Sequence, residues 1–382
     1  MQRSLSKALI EDIKHKLIII SGPRQCGKTY LVCNLLNKNY HYLNFDIQKN
    51  RKSILTLDWD FGPELVVFDE LHKMKKWKSW LKGLTDDPTM SQKIIVTGSA
   101  KPNTYKKVGD SLAGRYFSYR LYPLDLKEVL ADRDFLKQEP ATSNQILDRL
   151  LSVSGFPEPF LKGEKGFYRK WQKTHLDNIL KNDILETEPV RSIKQIEILA
   201  QLLTEKVGSL LSYNSLREDL HTDDKSVKRW VDILENSFMI FRVYPYSSKS
   251  MVSSIRKSPK IYFYDYGRLE NSAAKLENLV ALSLLKEIHF RADTLGEIFD
   301  LHFVRNKQKQ EIDFLITKDK KPHALIEVKE SDDEVSTSFN SFESYFPGIQ
   351  KIQLVKNLKT SRTTRSQVLI ASASAWLAKM DF

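Results

Sequence analysis

The run Gly22-Pro23-Arg24-Gln25-Cys26-Gly27-Lys28-Thr29 sets two glycines, a lysine and a hydroxyl at a spacing that cradles phosphate. Glycine lets successive backbone N–H groups turn onto an anion, and a helix opening at the loop's end adds the positive end of its dipole. In that arrangement Lys28 reaches the β and γ phosphates of ATP, and the Thr29 hydroxyl ligates Mg2+. Leu65-Val66-Val67-Phe68-Asp69-Glu70 supplies the acidic half: an apolar strand delivers Asp69 to hold Mg2+ through water and Glu70 to polarise the attacking water. A third apolar run, Ile94-Ile95-Val96-Thr97-Gly98-Ser99, ends in Thr97 and Ser99. These either read the γ phosphate, Thr97 first, or form an ordinary strand exit. Arg115, in Ser111-Leu112-Ala113-Gly114-Arg115, is either an arginine finger for a neighbouring subunit of a homo-oligomer or a surface arginine.

A second acidic set lies far downstream. Glu311-Ile312-Asp313-Phe314-Leu315-Ile316 alternates as a half-buried strand does, and Leu325-Ile326-Glu327-Val328-Lys329 follows it. Residues two apart on a strand share a face, so Glu327 and Lys329 project together while Ile326 and Val328 enter the core. If the strands pair, Asp313 approaches Glu327. Two carboxylates can then bind Mg2+ while Lys329 orients or activates a water beside a phosphodiester, with Glu277 a candidate fourth member. Two other readings stay open: a charged sheet edge that guards against aggregation, or a nuclease fold without activity.

The elements that must position these groups follow from pattern. Lys16–Ser21 reads as a buried strand running into the phosphate loop, and Thr29–Asn37 has helical spacing. Tyr40–Phe45, Glu64–Phe68, Lys93–Thr97 and Tyr116–Leu121 are further strands, which predicts an α/β fold with a parallel sheet covered on both faces. After Pro123 the pattern turns helical, with Leu124–Leu130, Asn144–Val153 and Phe167–Leu185, the first two forming a lid. Asn214–Leu220, a turn at His221–Asp224 and Lys225–Asn236 read as helix–turn–helix, with Thr222 or Asp223 as N-cap. Val227, Trp230, Ile233 and Leu234 mark the buried face of its second helix. Lys225, Lys228 and Arg229 lie elsewhere and reach either DNA or a protein partner. Tyr246–Pro259 reads as a linker; beyond it come strand Ile261–Tyr264, a helix around Leu276–Ile288, and strands Leu301–Arg305, Glu311–Ile316 and Ala324–Val328. The expected domains are 1–122, 123–190, 191–245 and 246–382.

Composition narrows the classes. A net charge of +12 favours a polyanionic partner, nucleic acid first, although lysine-rich surfaces also serve solubility. Apolar runs such as Leu17–Ile20 fall far short of the ~20 residues that span a bilayer, so no membrane partner is expected. The two cysteines, Cys26 and Cys33, lie within the phosphate-loop region and suit reduced thiols in a cytoplasmic protein.

Taken together, Gly22–Thr29, Phe68-Asp69-Glu70, Thr97-Gly98-Ser99 and Ser111–Arg115 resemble a group of bacterial and archaeal AAA+-type ATPases with a C-terminal domain of unknown function. Tyr122-Pro123-Leu124, Gly155-Phe156-Pro157-Glu158-Pro159-Phe160 and Pro245-Tyr246 extend the likeness over nearly the whole chain. The resemblance implies an AAA+ core, a helical lid, a winged-helix segment and a C-terminal domain similar to PD-(D/E)XK nucleases. It also suggests that Pro157 sits near the adenine, the alternative being a turn proline without ligand contact. The lid departs from the pattern in having no arginine that matches the second sensor position. The function expected is Mg-dependent ATP hydrolysis coupled to action on or near DNA. The alternatives are an ATP-driven switch or scaffold signalling to a protein partner, with an inactive nuclease fold, and a DNA-binding module whose ATP site tunes affinity.

Overall fold

A computed structural model describes residues 2–35, 39–99, 112–132, 141–180, 190–247, 258–331, 334–380 and 382. The chain divides into two compact units. The first is Met1–Pro123 with Asn236–Phe238 and Asp293–Leu295; the second is Leu124–Glu235, Met239–Ala292 and Gly296–Phe382.

The first unit runs α1 (Ser6–Asp12), β1 (Leu17–Ser21), α2 (Lys28–Leu35), β2 (Tyr40–Asn44), α3 (Gln48–Thr56), β3 (Leu65–Asp69), α4 (Trp77–Asp86), β4 (Lys93–Gly98) and β5 (Tyr116–Arg120). The five strands are parallel in the order β2-β3-β4-β1-β5. Central strands of such a sheet are covered on both faces. Accordingly β1 and β3 are buried at every residue and β4 at all but Lys93, whereas the edge strands β2 and β5 are mostly half-buried. Trp77, Leu81 and Leu84 on one face of α4 join Phe68, Ile94 and Val96 in the core. The order has one decisive consequence: β4 separates β1 from β3. Thr97 is thereby registered beside Ile20 on one side and Asp69 on the other.

The second unit begins with helices α5 (Leu126–Ala131), α6 (Ser143–Val153), α7 (Pro157–Lys162), α8 (Lys165–Ile179), α9 (Val190–Thr204), α10 (Tyr213–Asp219) and α11 (Asp224–Asn236). There follow β6 (Ile240–Pro245), β7 (Lys260–Phe263), α12 (Ser272–Leu295), β8 (Phe299–Arg305), β9 (Glu311–Lys318), β10 (Lys321–Lys329), α13 (Ser338–Phe342), β11 (Gln350–Val355), β12 (Arg362–Thr363), β13 (Val368–Ser372) and α14 (Ala373–Lys379). Its strands form one mixed sheet, β12-β13-β11-β10-β9-β8-β6-β7.

Several expectations shift in this unit. The helix expected around Leu276–Ile288 extends over Ser272–Leu295, because Asn271 caps its start by accepting the Ala274 N–H and Gly296 ends it in the left-handed region. Asp223 rather than Thr222 precedes α11 as its cap, accepting the N–H groups of Lys225 and Ser226. On α11, Val231 joins Val227, Trp230 and Leu234 in the core while Ile233 is half-buried. Val328, expected in the core, is only half-buried, whereas Leu325 and Ile326 are both enclosed because both faces of β10 are covered there. Strands β11 and β13 were not anticipated. Residues 36–37 of the first expected helix, 181–185 of Phe167–Leu185 and 248–257 of the linker lie outside the described residues, as does Ser111. Among the described residues no helix is long and apolar enough to cross a membrane.

Asn278, fully buried in the second turn of α12, pins that helix to β7: its amide donates to the Phe263 carbonyl and accepts the Phe263 N–H, each at 2.8 Å. Replacing it strands two buried backbone groups. Asn278→Ala should therefore cost about 2–5 kcal/mol at the urea midpoint. A loss of under about 0.5 kcal/mol would mean the pin is dispensable.

Candidate active site

The phosphate loop leaves β1 and enters α2 through a backbone that side chains would obstruct. A Cβ at Gly22 would lie 2.1 Å from the Leu121 carbonyl oxygen, so only glycine passes there. Gln25 (φ 61°) and Gly27 (φ 96°) take the left-handed region, which turns the loop around its amides. Cys26 packs its thiol against the Leu121 carbonyl at 3.5 Å. Buried Arg3 donates to the carbonyls of Cys26 (2.8 Å) and Tyr122 (2.6 Å), fastening the loop to the chain beyond β5. The Lys28 ammonium donates to the carbonyls of Gly22 (2.9 Å) and Pro23 (2.8 Å), so it is held over the loop.

Asp69 closes β3 and is 5% exposed. Its Oδ2 accepts hydrogen bonds from Thr29 (3.0 Å), Tyr42 (2.6 Å) and Asn44 (3.4 Å), and its Oδ1 accepts the Thr97 hydroxyl. Every one of these donors is neutral, and no lysine or arginine among the described residues comes within ion-pair distance. A buried carboxylate without a counter-charge beside a threonine hydroxyl is an all-oxygen set that suits Mg2+. Thr29 and Asp69 would hold that ion.

Glu70 follows in the left-handed region (φ 56°), a strained conformation for a side-chain-bearing residue. Its carboxylate accepts Ser99 Oγ at 3.3 Å and faces Arg24 (3.8 Å), His72 (3.7 Å) and Lys73 (4.0 Å). Burial pushes its pKa above the ordinary glutamate value, while Arg24, Lys28 and Lys73 pull it back. Gly98 is required here, since a Cβ would come 2.7 Å from His72 Nδ1.

Lys28, Thr29, Asp69, Glu70, Thr97 and Ser99 are thus gathered at the ends of three strands. Thr97 and Ser99 are engaged with the acidic pair, one hydroxyl to each carboxylate, rather than standing clear to read phosphate. Arg115 sits on the surface in a two-point pair with Asp86 at 2.9 and 3.2 Å. Pro157 is the first residue of α7 in the second unit, where proline favours a helix start. Sequence reasoning overlooked Tyr42, Asn44 and Arg3. The period-two alternation of Tyr42 and Asn44 on β2 was the available signal, because that strand borders β3.

The downstream acidic set has a different electrostatic solution. β9 and β10 pair antiparallel, and Asp313 does meet Glu327: Asp313 Oδ2 accepts the Val328 N–H at 2.9 Å, and Glu327 Oε2 accepts the Asp313 N–H at 3.4 Å. Lys329 lies 3.0 Å from Glu327, and Ser336 donates to the same carboxylate at 3.3 Å. The unforeseen member is Lys260 on β7, 1% exposed, whose ammonium lies 2.6 Å from Glu311, 3.5 Å from Glu277 and 3.7 Å from Asp313. Tyr262 also donates to Glu277 at 2.7 Å. Burial, foremost, and the neighbouring Glu277 and Glu327 push the Asp313 pKa well above its ordinary value, with Lys260 opposing. An internal ammonium stands among these carboxylates, and the remaining oxygens of Asp313 and Glu327 are spent on amides, a hydroxyl and Lys329. The set does not fit a resident Mg2+.

Residues 14–130 match the family model described as AAA domain, and this segment is a P-loop AAA-type ATPase domain. Residues 144–279 and 273–375 match two models of domains of unknown function, DUF8612 and DUF4143. The "Uncharacterized protein MJ1544" of Methanocaldococcus jannaschii is 26% identical over 346 residues, 81% of this chain and 75% of that protein. An uncharacterized protein of Haemophilus influenzae is 23% identical over 333 residues, 74% of this chain and 80% of its own. Among solved structures, the Walker-type ATPase PABY2304 of Pyrococcus abyssi has a TM-score of 0.41 at 17% identity, covering 68% of this chain and 92% of its own. The Aeropyrum pernix ORC1 protein in complex with DNA has 0.39 at 10%, covering 75% and 94%. Neither of these two structural likenesses bears on activity.

Removing the Lys260 ammonium leaves buried carboxylates uncompensated. Lys260→Ala should cost about 3–5 kcal/mol near neutral pH. In the variant the Asp313 pKa, already above its ordinary value with Lys260 opposing, is raised further above its unfolded one. The stability Asp313 contributes is full below the unfolded value and lost as pH rises, so the deficit against wild type should narrow on acidification. A deficit that does not change with pH, followed by thermal unfolding across that range, would rule out the electrostatic account.

Proposed function

We propose that the N-terminal domain binds and hydrolyses Mg·ATP, and that the chain uses this cycle as a switch rather than to cut nucleic acid. The observation that carries the first part is the buried Asp69 carboxylate, held by neutral donors only, beside Thr29 and Lys28. Mg2+, when bound, neutralises phosphate oxygens. Lys28 exchanges the carbonyls of Gly22 and Pro23 for the β and γ phosphates. Glu70 accepts a hydrogen bond from the attacking water, and Ser99 and Arg24 hold its carboxylate for that task. Thr97, Tyr42 and Asn44 keep Asp69 in place. In an oligomer, Arg115 exchanges Asp86 for the γ phosphate of a neighbouring copy.

The second part rests on Lys260. A PD-(D/E)XK-like reading of the C-terminal domain needs a divalent cation at Asp313 and Glu327, and the ammonium there favours a fold that keeps the residues without the reaction. Residues 191–245 would then serve, winged-helix fashion, as a contact module.

Lys28→Ala should abolish nucleotide binding or turnover, and unchanged turnover would refute the site. Labelled linear, single-stranded and branched DNA, with Mg2+ or Mn2+, should show no cleavage that Asp313→Ala removes; cleavage lost in that variant would restore the nuclease reading.

The elevated Glu70 pKa sets a pH signature. The carboxylate must be ionised to accept from water, so turnover should fall on acidification at a pH above the ordinary glutamate range. Arg24 is the largest opposing charge, so Arg24→Gln should move that acid limb higher still. A limb that stays in place would remove Glu70 from the titrating role.

A further inference from the structure

A cleft of about 670 Å³ opens within the second unit, walled by α6, α8, the turn Tyr266–Arg268 and the start of α12. Five cations line it, Lys165, Arg169, Arg268, Lys275 and Lys356, against the acids Asp148 and Glu270. Lys356 is paired with Asp148 at 3.0 Å, and Arg268 reaches Asp265 at 3.4 Å. Lys165, Arg169 and Lys275 have no ion-pair partner among the described residues. Concentrating like charges in a concavity is unfavourable unless an anion enters to relieve it.

Three further features point the same way. The Arg268 side chain is 8% exposed, stacked 5.4 Å over the Phe263 ring, and its Nε finds no acceptor among the described residues. An unspent guanidinium N–H this deep in the wall is costly without a partner. Lys275 is half-buried, and burial foremost pushes its pKa down, Lys165 adding to this while Asp265 and Glu270 oppose it. In addition α8 starts at Lys165 without a side-chain cap, which leaves its first N–H groups and its positive dipole end at the cleft.

The character of the anion follows from what the walls offer. The cations come from four separate places, α8, the turn, α12 and the segment after β11, so one carboxylate would answer only a fraction of them. No aromatic face is on offer for a base, because the Tyr168 ring is buried and its hydroxyl is tied to Asp265 at 3.0 Å and to Gln172. We infer that this cleft binds the phosphate backbone of a nucleic-acid strand without selecting among its bases. The site is separate from the ATP chemistry and from the acidic set around Lys260.

The test is fluorescence anisotropy of a labelled oligothymidylate, an oligoadenylate and a duplex, over a range of salt, with inorganic tripolyphosphate as competitor. Wild type should bind both single strands alike, with affinity falling steeply with salt. The triple variant Lys165→Ala, Arg169→Ala, Lys275→Gln should bind at least about tenfold more weakly, with a salt slope lower by about 2, near 0.7 per lost phosphate contact. The charge-keeping variant Lys165→Arg, Arg169→Lys, Lys275→Arg should retain binding, which separates charge from a folding defect. ATP turnover without nucleic acid should match wild type in the triple variant, so failure here and failure of the ATPase reading are distinct results. No strand binding by wild type would overturn the inference. So would binding that survives the triple variant but is lost on neutralising Lys225, Lys228 and Arg229, and so would tight tripolyphosphate binding with none of the oligonucleotides.

Discussion

The first unit is organised around one buried carboxylate, Asp69, and the donors that satisfy it. Taking an ion out of water costs several kcal/mol even after relaxation, and hydrogen bonds from neutral donors offset only part of that. Asp69 receives them from Thr29 on α2, Tyr42 and Asn44 on β2, and Thr97 on β4. Those donors reach one point only because the sheet runs β2-β3-β4-β1-β5, with a strand on each side of β3 and the loop helix one strand further on. Order of strands, register of Asp69 against Thr97 and the position of the loop are therefore one constraint expressed three ways. A cluster of carboxylate and hydroxyl oxygens with no ammonium or guanidinium in it is the kind of set a divalent cation would take. Glu70, next in sequence, is held in the left-handed region, a strained conformation for a residue with a side chain.

The second unit meets the same problem with the opposite solution. Glu277, Glu311 and Asp313 come from α12 and β9, and Lys260 enters among them from β7. An ammonium supplied by the chain is always present, so it stabilises the fold without waiting for a ligand. It also occupies the electrostatic role a metal would fill. Gly208, in the left-handed region, passes so close to Glu277 that a Cβ would fall 2.8 Å from its carboxylate, which closes the cluster further. Two acidic sets in one chain thus differ in how their carboxylates are satisfied, one by neutral donors and the other by an ammonium from the chain itself.

How much of this is legible in residues alone depends on sequence distance. The phosphate loop is local: glycines, lysine and threonine sit within eight positions, flanked by a strand pattern and a helix pattern that agree with it. The apolar run ending at Asp69 is local too, and the α/β alternation of the first unit follows from runs of the same kind. Tyr42, Asn44 and Arg3 are not, because their roles arise from the register of neighbouring strands and from the chain passing beyond β5. Lys260 is the clearest case. Lysine is the residue least expected in a core, and this one stands at the edge of an apolar run, where pattern reading leaves it outside the strand. The extents of α12 and of β10 were misjudged for a related reason: elements covered on several sides lose the periodicity that marks a half-exposed one.

The net charge of +12 takes a different meaning once the partners are known. Lys260 is spent on the acidic cluster, Lys286 on Asp125 and Glu128, and Arg242 on Asp232 and Glu235, so these cations are structural and invisible to an external polyanion. A basic isoelectric point therefore says little by itself about nucleic acid. What does carry weight is positive charge that the fold collects and leaves uncompensated, because such an arrangement is unfavourable in the free protein and is relieved only by an anion. Lys165 and Arg169 meet that condition on one wall system, with Arg268 nearby and Lys275 partly answered by Asp265 and Glu270. The distinction between cations that close the protein's own ledger and cations that do not is what turns an overall charge into a located surface.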